Sequence, residues 1–306
     1  MNTSLSNRWM VVAAGIAGVL WVTVALAQSP SPARAEPVDA AALAAQHIAL
    51  ADELAHSPFS LPLVVRSRDE GALAEGEIVG LVPHPYAAFA AAFASPRAFC
   101  EVAALHPNVK GCTPARVDGE DRVTLFAGRK HYEPAERAYV QDFVASAPQV
   151  SDRYLRIVLR ARDGPLDTRD YVFTLEAMPA GDATFIAVRY AYRSSFVSRA
   201  ATAGYLATAG SGKTGFSRNE AGEPARGVRG VVERNAMRHY LALLAVLDTA
   251  AVPIAERSPA RLDRYYTLTD RFAAQLREFE RTEYVAIKTR EFAEQRARDL
   301  GAAGGS

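Results

Sequence analysis

The sequence lacks an excess of charge of either sign. Its 35 lysines and arginines nearly balance its 34 aspartates and glutamates, which leaves a formal net charge of +1 over 306 residues. Proteins that bind nucleic acid carry a basic patch or stripe, so this balance argues against a nucleic-acid partner. Apolar residues make up 49% of the chain, which is an ordinary share for a globular protein with a sizeable core.

Cysteine is scarce, because the chain contains only Cys100 and Cys112. Two cysteines do not by themselves make a four-ligand zinc site. In an oxidising compartment we expect the two to form a disulfide that closes the short loop 101–111. Two buried free thiols are the alternative.

Familiar catalytic and metal-binding motifs are also missing. The six histidines include no His-Glu-x-x-His pair, and no Gly-x-Ser-x-Gly elbow is present. The stretch 207–214 approaches a phosphate-binding loop, but Ala207 stands where that loop needs glycine, and the residues before it predict a helix instead of a strand. The sequence therefore predicts no metal and no cofactor, and it favours a binding function over a reaction.

One long apolar run is present, at the N-terminus. Arg8 precedes an apolar stretch over 9–27, and two small-x-small cleavage sites follow, the first ending at Ala27. This pattern predicts a secretory signal peptide over 1–27 and a linker over 28–36. An uncleaved membrane anchor is the alternative, because the run approaches the length that spans a bilayer. Both interpretations place the rest of the chain outside the cytoplasm.

Hydrophobic periodicity organises the remaining chain. Helical spacing of apolar residues predicts helices over 37–56, over two short segments within 86–105 separated by Ser95-Pro96, and over 197–208, 228–248 and 256–298. Alternating apolar and polar residues predict strands over 61–67, 76–82, 122–126, 139–145, 153–162, 169–178 and 184–194. Short turns join the last three strands, which indicates an antiparallel meander with one buried face.

This order of elements resembles the START-like, or helix-grip, superfamily of lipid-transfer and polyketide-cyclase proteins. The resemblance implies an α+β fold in which a curved antiparallel sheet grips a long C-terminal helix, with helical extensions at both ends. The predicted organisation is a signal peptide over 1–27, a linker over 28–36, an N-terminal helix over 37–60, a START-like domain over 61–250, a C-terminal helical extension over 251–300 and a disordered tail over 301–306.

Four short stretches resemble a family of exported proteins of Gram-negative bacteria that has no assigned reaction. These stretches are Phe99-Cys100, 108–112, 164–171 and 230–235. The likeness implies the periplasm as the compartment, and it adds little on chemistry.

The helix-grip resemblance also implies an apolar ligand between the sheet and the long helix. Such a pocket needs apolar walls and a few polar groups, and tyrosine supplies both. The expected lining residues are Leu155, Ile157, Leu159, Tyr171, Phe173, Leu175, Arg189, Tyr190, Tyr192, Met237, Tyr240 and Leu244. Arg189 belongs to this set if the Phe185 side of its strand faces inward, where it would hold an anionic head group. Without a void, the same residues would form a solid core.

The sequence thus predicts an exported START-like protein that binds or carries a lipid or another apolar small molecule and contacts the membrane surface. The loop 209–226 is expected to act as a gate. Two alternatives stay open. One is a cyclase- or hydrolase-like enzyme on the same fold, with His239, Tyr190 or Asp170 as acid or base. The other is a non-catalytic interaction protein of the cell envelope that presents the helices of 256–298 to a partner.

Overall fold

The computed structural model of this chain describes residues 40–208 and 210–303. The predicted signal peptide and linker lie outside the described residues. Within them, no helix is both long enough and apolar enough to cross a bilayer.

The described residues form one antiparallel sheet of nine strands. The strands are β1 Leu63–Glu70, β2 Leu73–Val82, β3 Val109–Val117, β4 Glu120–Ala127, β5 Tyr139–Ala145, β6 Gln149–Val150, β7 Leu155–Asp163, β8 Arg169–Ala180 and β9 Ala183–Arg193. Their order in the sheet is β1-β2-β9-β8-β7-β5-β4-β3, and the short β6 pairs with β7. The predicted meander of β7, β8 and β9 is confirmed by this register.

Nine α-helices are described beside the sheet. They are α1 Ala40–Ala49, α2 Ala51–Ala55, α3 Tyr86–Phe93, α4 Pro96–Ala103, α5 Phe196–Ala207, α6 Gly227–Asp248, α7 Ile254–Asp270, α8 Ala273–Leu276 and α9 Arg281–Ala303. Single helical turns at Ala135–Arg137 and Pro165–Asp167 interrupt two of the connections.

The main core lies between the inner face of the sheet and α6. Alternation along β7 turns Leu155 and Ile157 towards the helix. Met237 and Tyr240 of α6 are fully buried against this face, and each such side chain contributes about 1.5–3 kcal/mol by leaving water. Gly80 of β2 permits the close approach, because a Cβ atom there would lie 3.1 Å from the Tyr240 hydroxyl.

The N-terminal helices cover part of the outer face of the sheet. Leu43, Leu50 and Leu54 pack against Val79 and Phe185. The single helix expected over 37–56 is thus two helices, α1 and α2, that meet at Leu50. These helices therefore shield part of the outer face of the sheet from solvent.

Strand β3 was not predicted from the sequence. It lacks regular alternation, because its first four residues are all buried and its last three are exposed. Residues 118 and 119 turn the chain into β4, with φ values of 52° and 82°. Cys112 of β3 forms a disulfide with Cys100 of α4, as the sequence predicted.

The C-terminal helices pack onto the domain. Leu262, Tyr265, Leu276 and Tyr284 are buried in the main core, so their aromatic stripe is not available as the partner surface of the interaction alternative. Helix α9 continues to Ala303, into the segment expected to be a disordered tail, and 304–306 lie outside the described residues.

Candidate functional site

An apolar cavity lies between the sheet, α4 and α6. The sheet contributes five side chains, the α3–α4 segment five and α6 two. These residues are Ile157, Leu159, Phe173, Leu175 and Val188, then Phe93, Ser95, Ala98, Phe99 and Val102, then His239 and Leu243. Apart from Ser95 and His239, every one of these side chains is apolar, so the cavity suits an apolar guest.

The cavity is small in this conformation. About 30 Å³ is open to the centre of a water molecule, and one water needs roughly 10–15 Å³ of such space. Ser95 is exposed and Phe99 is half-buried, so the cavity approaches the surface at the junction of α3 and α4. A guest larger than a few atoms therefore requires the walls of the cavity to move apart.

A row of aromatic rings continues the cavity along the inner face. From Phe99, ring centroids lie 5.1 Å from Phe173 and 5.8 Å from Phe143. Tyr171 follows Phe143 at 6.3 Å. Tyr192 stacks on Tyr171 at 5.2 Å and on Tyr190 at 5.8 Å. We call the six residues of this series the aromatic row.

The three tyrosines of the aromatic row lie on the inner face of the sheet. Each is only half-buried. Burial nevertheless raises the pKa of Tyr190 well above its usual value, and it also raises the pKa of Tyr171 and Tyr192. The three hydroxyls are therefore largely removed from water, although the rings keep some accessible surface.

Two side chains one turn apart on α6 supply polar groups beside the aromatic row and the cavity. Asn235 forms a hydrogen bond with Tyr190. His239 lines the cavity and stacks on His106 at 5.1 Å. Burial, reinforced by the charge of Arg238, lowers the pKa of His239 to about 4. At neutral pH the site therefore presents an uncharged imidazole, an amide and a phenol, which can orient a polar group of a guest.

The structure divides the twelve residues predicted to line a ligand site. The cavity wall contains Ile157, Leu159, Phe173 and Leu175. The aromatic row contains Tyr171, Tyr190 and Tyr192, as well as Phe173. The solid core beyond the cavity contains Leu155, Met237, Tyr240 and Leu244.

The twelfth residue, Arg189, points away from the cavity. Its Nε atom lies 2.7 Å from Glu77 Oε1, and its other nitrogens donate to Glu176 and Gln46. Gln46 belongs to α1, which covers the outer face. The expectation that Arg189 holds a head group is therefore wrong, because Phe185 and Arg189 share the face that α1 covers.

The groups named for the enzyme alternative do not converge. Asp170 lies 3.4 Å from Arg193 at the end of β8, whereas His239 and Tyr190 face the inner space. No cluster of three or more metal-binding side chains occurs among residues 40–208 and 210–303.

The loop expected to act as a gate is anchored at its centre. The buried carboxylate of Glu233 accepts hydrogen bonds from the backbone N–H groups of Phe216 and Ser217, at 2.6 and 2.8 Å. Lys213 donates to the Arg277 carbonyl at 2.7 Å. These bonds hold the loop in place in this conformation.

Sequence reasoning missed the contribution of α3 and α4 to the cavity. It identified the two short helices but assigned the lining to the sheet and α6 alone. The spacing of Phe89, Phe93 and Phe99 signalled an apolar surface on these helices. It did not show which of them would border a void.

The chain was compared with known proteins at the levels of sequence and structure. No family model and no curated protein matches it. Among solved structures, a Thermus thermophilus protein is 14% identical, with a TM-score of 0.38 over 58% of this chain and 99% of that chain. The Zhui aromatase/cyclase of a Streptomyces species is 10% identical, with a TM-score of 0.30 over 66% and 94%.

A fragment of a STAR-related lipid transfer protein from Xanthomonas axonopodis is 14% identical, with a TM-score of 0.30 over 44% of this chain and 76% of that chain. Because these TM-scores and identities are low, the fold is assigned from the architecture of this chain. Its curved antiparallel sheet packs around one long helix, α6, and this confirms the helix-grip architecture predicted from the sequence.

Proposed function

We propose that this helix-grip protein is exported and that it binds an apolar small molecule between its sheet and α6. The observation that carries the proposal is the apolar cavity together with the accessible rings of the aromatic row. Filling this space removes apolar surface from water, which contributes about 25 cal/mol per Å².

Binding requires the cavity to widen. The 30 Å³ now open to water centres holds about two waters, far less than an acyl chain or a polycyclic ring system. Helix α4 has eight residues and begins directly after the exposed Ser95. We propose that the first turn of α4, between Ser95 and the disulfide at Cys100, shifts outward when a guest enters.

The compartment forms part of the same proposal. The disulfide between Cys100 and Cys112 is the kind of bond that persists outside the cytoplasm. Expression in a Gram-negative host, followed by fractionation and N-terminal sequencing, tests this point. We expect periplasmic protein that begins after Ala27 or Ala35, and full-length protein in the cytoplasm would contradict it.

Contact with a membrane surface completes the proposal. Phe196 is 88% exposed, and Leu166 and Val197 are also exposed. The Ser195 hydroxyl donates to the Leu166 carbonyl at 2.7 Å, so these three apolar side chains form one tip. Thr168 joins this tip to Tyr171 of the aromatic row at 2.7 Å. A guest that leaves a lipid surface at the tip would thus contact the aromatic row before it reaches the cavity.

Vesicle sedimentation tests the membrane contact. We expect the protein to sediment with phosphatidylethanolamine–phosphatidylglycerol vesicles and Phe196→Ser to reduce the bound fraction. Ile254 is 83% exposed elsewhere on the surface, so Ile254→Ser is the matched control. Equal binding by the two variants would contradict the assignment of the tip.

Uptake of the neutral fluorophore N-phenyl-1-naphthylamine tests the pocket. We expect saturable fluorescence enhancement, with lipid or another apolar compound co-purifying in native mass spectrometry. Ala98→Leu fills the cavity and should abolish uptake, whereas Ala91→Leu on the exposed side of α3 should not. No uptake by the wild-type protein, or equal uptake by both variants, would overturn the proposal.

A further inference from the structure

A cluster of basic side chains surrounds one carboxylate beside the pocket. Glu278 lies in the short connection between α8 and α9. Its Oε1 atom is 2.7 Å from both Lys130 Nζ and Arg238 Nη2, and its Oε2 atom is 3.0 Å from Lys213 Nζ. Arg234 reaches the same place and donates to the Lys213 carbonyl at 3.3 Å.

The charges of this cluster do not balance. Lys130, Lys213, Arg234 and Arg238 carry four positive charges, and Glu278 carries one negative charge. Arg234 and Arg238 are buried, and burial lowers the pKa of Arg234. Cations held away from water without enough counter-charge are costly, so a second anion in the cluster would be stabilised.

Hydrogen bonds connect this cluster to the pocket. Arg238 donates to Asn235 at 3.4 Å, and Asn235 bonds Tyr190 of the aromatic row. Lys130 donates to the Tyr205 hydroxyl at 3.0 Å. Although burial raises the pKa of Tyr205, the bond and charge of Lys130 lower it overall.

We infer that Lys130, Lys213 and Arg238 form a carboxylate-binding subsite of the pocket, and that the guest is an apolar molecule that ends in a carboxylic acid. This inference rests on the proposed function. The geometry favours a carboxylate, because the three donors already hold the one carried by Glu278 at 2.7–3.0 Å. Charge-assisted bonds of this kind are roughly twice as strong as neutral ones.

The Glu278 side chain has space to move aside when a guest binds. A second cavity lies beside it, with about 20 Å³ open to water centres, and its lining includes Arg238, Tyr265, Thr269 and the ion pair of Arg277 with Asp270. The buried hydroxyl of Tyr265 has no hydrogen-bond partner. A carboxylate that shifts into this cavity would gain that donor, so Glu278 acts as the resident occupant that a ligand replaces.

Displacement of N-phenyl-1-naphthylamine by dodecanoate and by dodecanol, at pH 8 and low salt, tests the inference. We expect the wild-type protein to bind dodecanoate about tenfold more tightly than dodecanol, which is the gain of roughly one hydrogen bond to a charged group. Lys213→Gln should remove this preference, because it weakens dodecanoate binding more than dodecanol binding. Arg218→Gln, in the same loop but outside the cluster, is the control and should keep the preference.

Glu278→Gln distinguishes a ligand site from an ion-pair cluster that has only a structural role. A ligand site predicts tighter dodecanoate binding, because the competing carboxylate is gone, with dodecanol unaffected. A purely structural cluster predicts that the affinities for dodecanoate and dodecanol fall together. If this variant does not fold, Lys213→Gln decides alone.

The two proposals fail differently. Equal affinities for acid and alcohol in the wild-type protein, or a preference that survives Lys213→Gln, would overturn the subsite and leave the apolar pocket intact. Absence of fluorophore uptake would overturn the pocket itself.

Discussion

The stacked histidines beside the cavity make stability sensitive to acid. Burial lowers the pKa of His239 from 6.5 to about 4, and burial also lowers the pKa of His106 well below its usual value. Both imidazoles gain protons more readily in the unfolded chain. The free energy of unfolding should therefore fall as pH drops from about 6.5 to 4, by about 3 kcal/mol for His239 alone.

Urea unfolding between pH 7.5 and 4 measures this effect. His239→Phe keeps a ring against His106 but cannot be protonated, so its stability should depend less on pH across this window. His56→Phe is the control, because His56 is exposed, and it should follow the wild-type curve. Parallel curves for wild type and His239→Phe would contradict the assignment.

A buried ion cluster attaches α9 to the sheet. Glu291 accepts from Lys110 at 2.9 Å and from Lys288 at 2.6 Å, and all three side chains are almost wholly buried. Burial lowers the pKa of Lys288 to about 8 even beside Glu291. Glu291→Gln leaves two buried lysines without a counter-charge, and we expect a loss of about 3–5 kcal/mol in the free energy of unfolding.

Chemical denaturation of Glu291→Gln measures this loss. Glu283 is exposed on the same helix, so Glu283→Gln should change stability by less than about 0.5 kcal/mol. Similar stabilities for the two variants would show that the cluster contributes little.

The disulfide controls the wall element α4. Cys100 of α4 is bonded to Cys112 of β3, while Ala98, Phe99 and Val102 of the same helix line the cavity. We expect Cys100→Ser/Cys112→Ser to lower the free energy of unfolding by about 2–3 kcal/mol. We also expect faster exchange of bound N-phenyl-1-naphthylamine, since α4 is then held by packing alone.

Stopped-flow release of the fluorophore distinguishes these effects. The double variant should release it faster than the oxidised wild-type protein, and reduction of the wild type should reproduce the change. Identical release rates would mean that α4 does not form the moving wall.

At the same scale, the sequence predicted the elements better than their roles. Alternation of residue types along the sequence identified β7, β8 and β9, because successive side chains of a strand point to opposite faces of a sheet. Strand β3 was not predicted, because it begins buried on both faces and contains Pro114, and proline is unfavourable in most strands. The face of Arg189 could not be read from β9, because α1 makes both faces of that strand partly apolar.

For the whole molecule, the C-terminal helices belong to the fold. Deletion of 251–306 removes Leu262, Tyr265, Leu276 and Tyr284 from the main core and Glu291 from its lysines. We expect loss of the near-ultraviolet circular dichroism of the native state, while a chain that ends at 300 keeps it. A folded product of the longer deletion would instead make 251–306 a separate module.

The candidate site could be predicted only in part, and the limit is physical. Apolar residues on the meander and α6 indicate a shared interface, but packing decides whether that interface is solid. Met237 and Tyr240 fill one half, whereas His239 and Leu243 leave a gap in the other. Arg234 and Arg238 lie one turn apart on α6, but Lys130 and Lys213 reach Glu278 from two distant loops, and no sequence period connects these lysines with the helix.

Strand β3 ends the sheet, and α9 runs along it, with Gln295 accepting the Cys112 amide N–H at 3.0 Å. The helix thus occupies hydrogen-bonding positions that would otherwise recruit a strand from another copy of the chain. Proteolytic loss of α9 from a molecule that stays folded would therefore expose this edge of the sheet. We expect the truncated molecules to associate with one another through this unpaired strand.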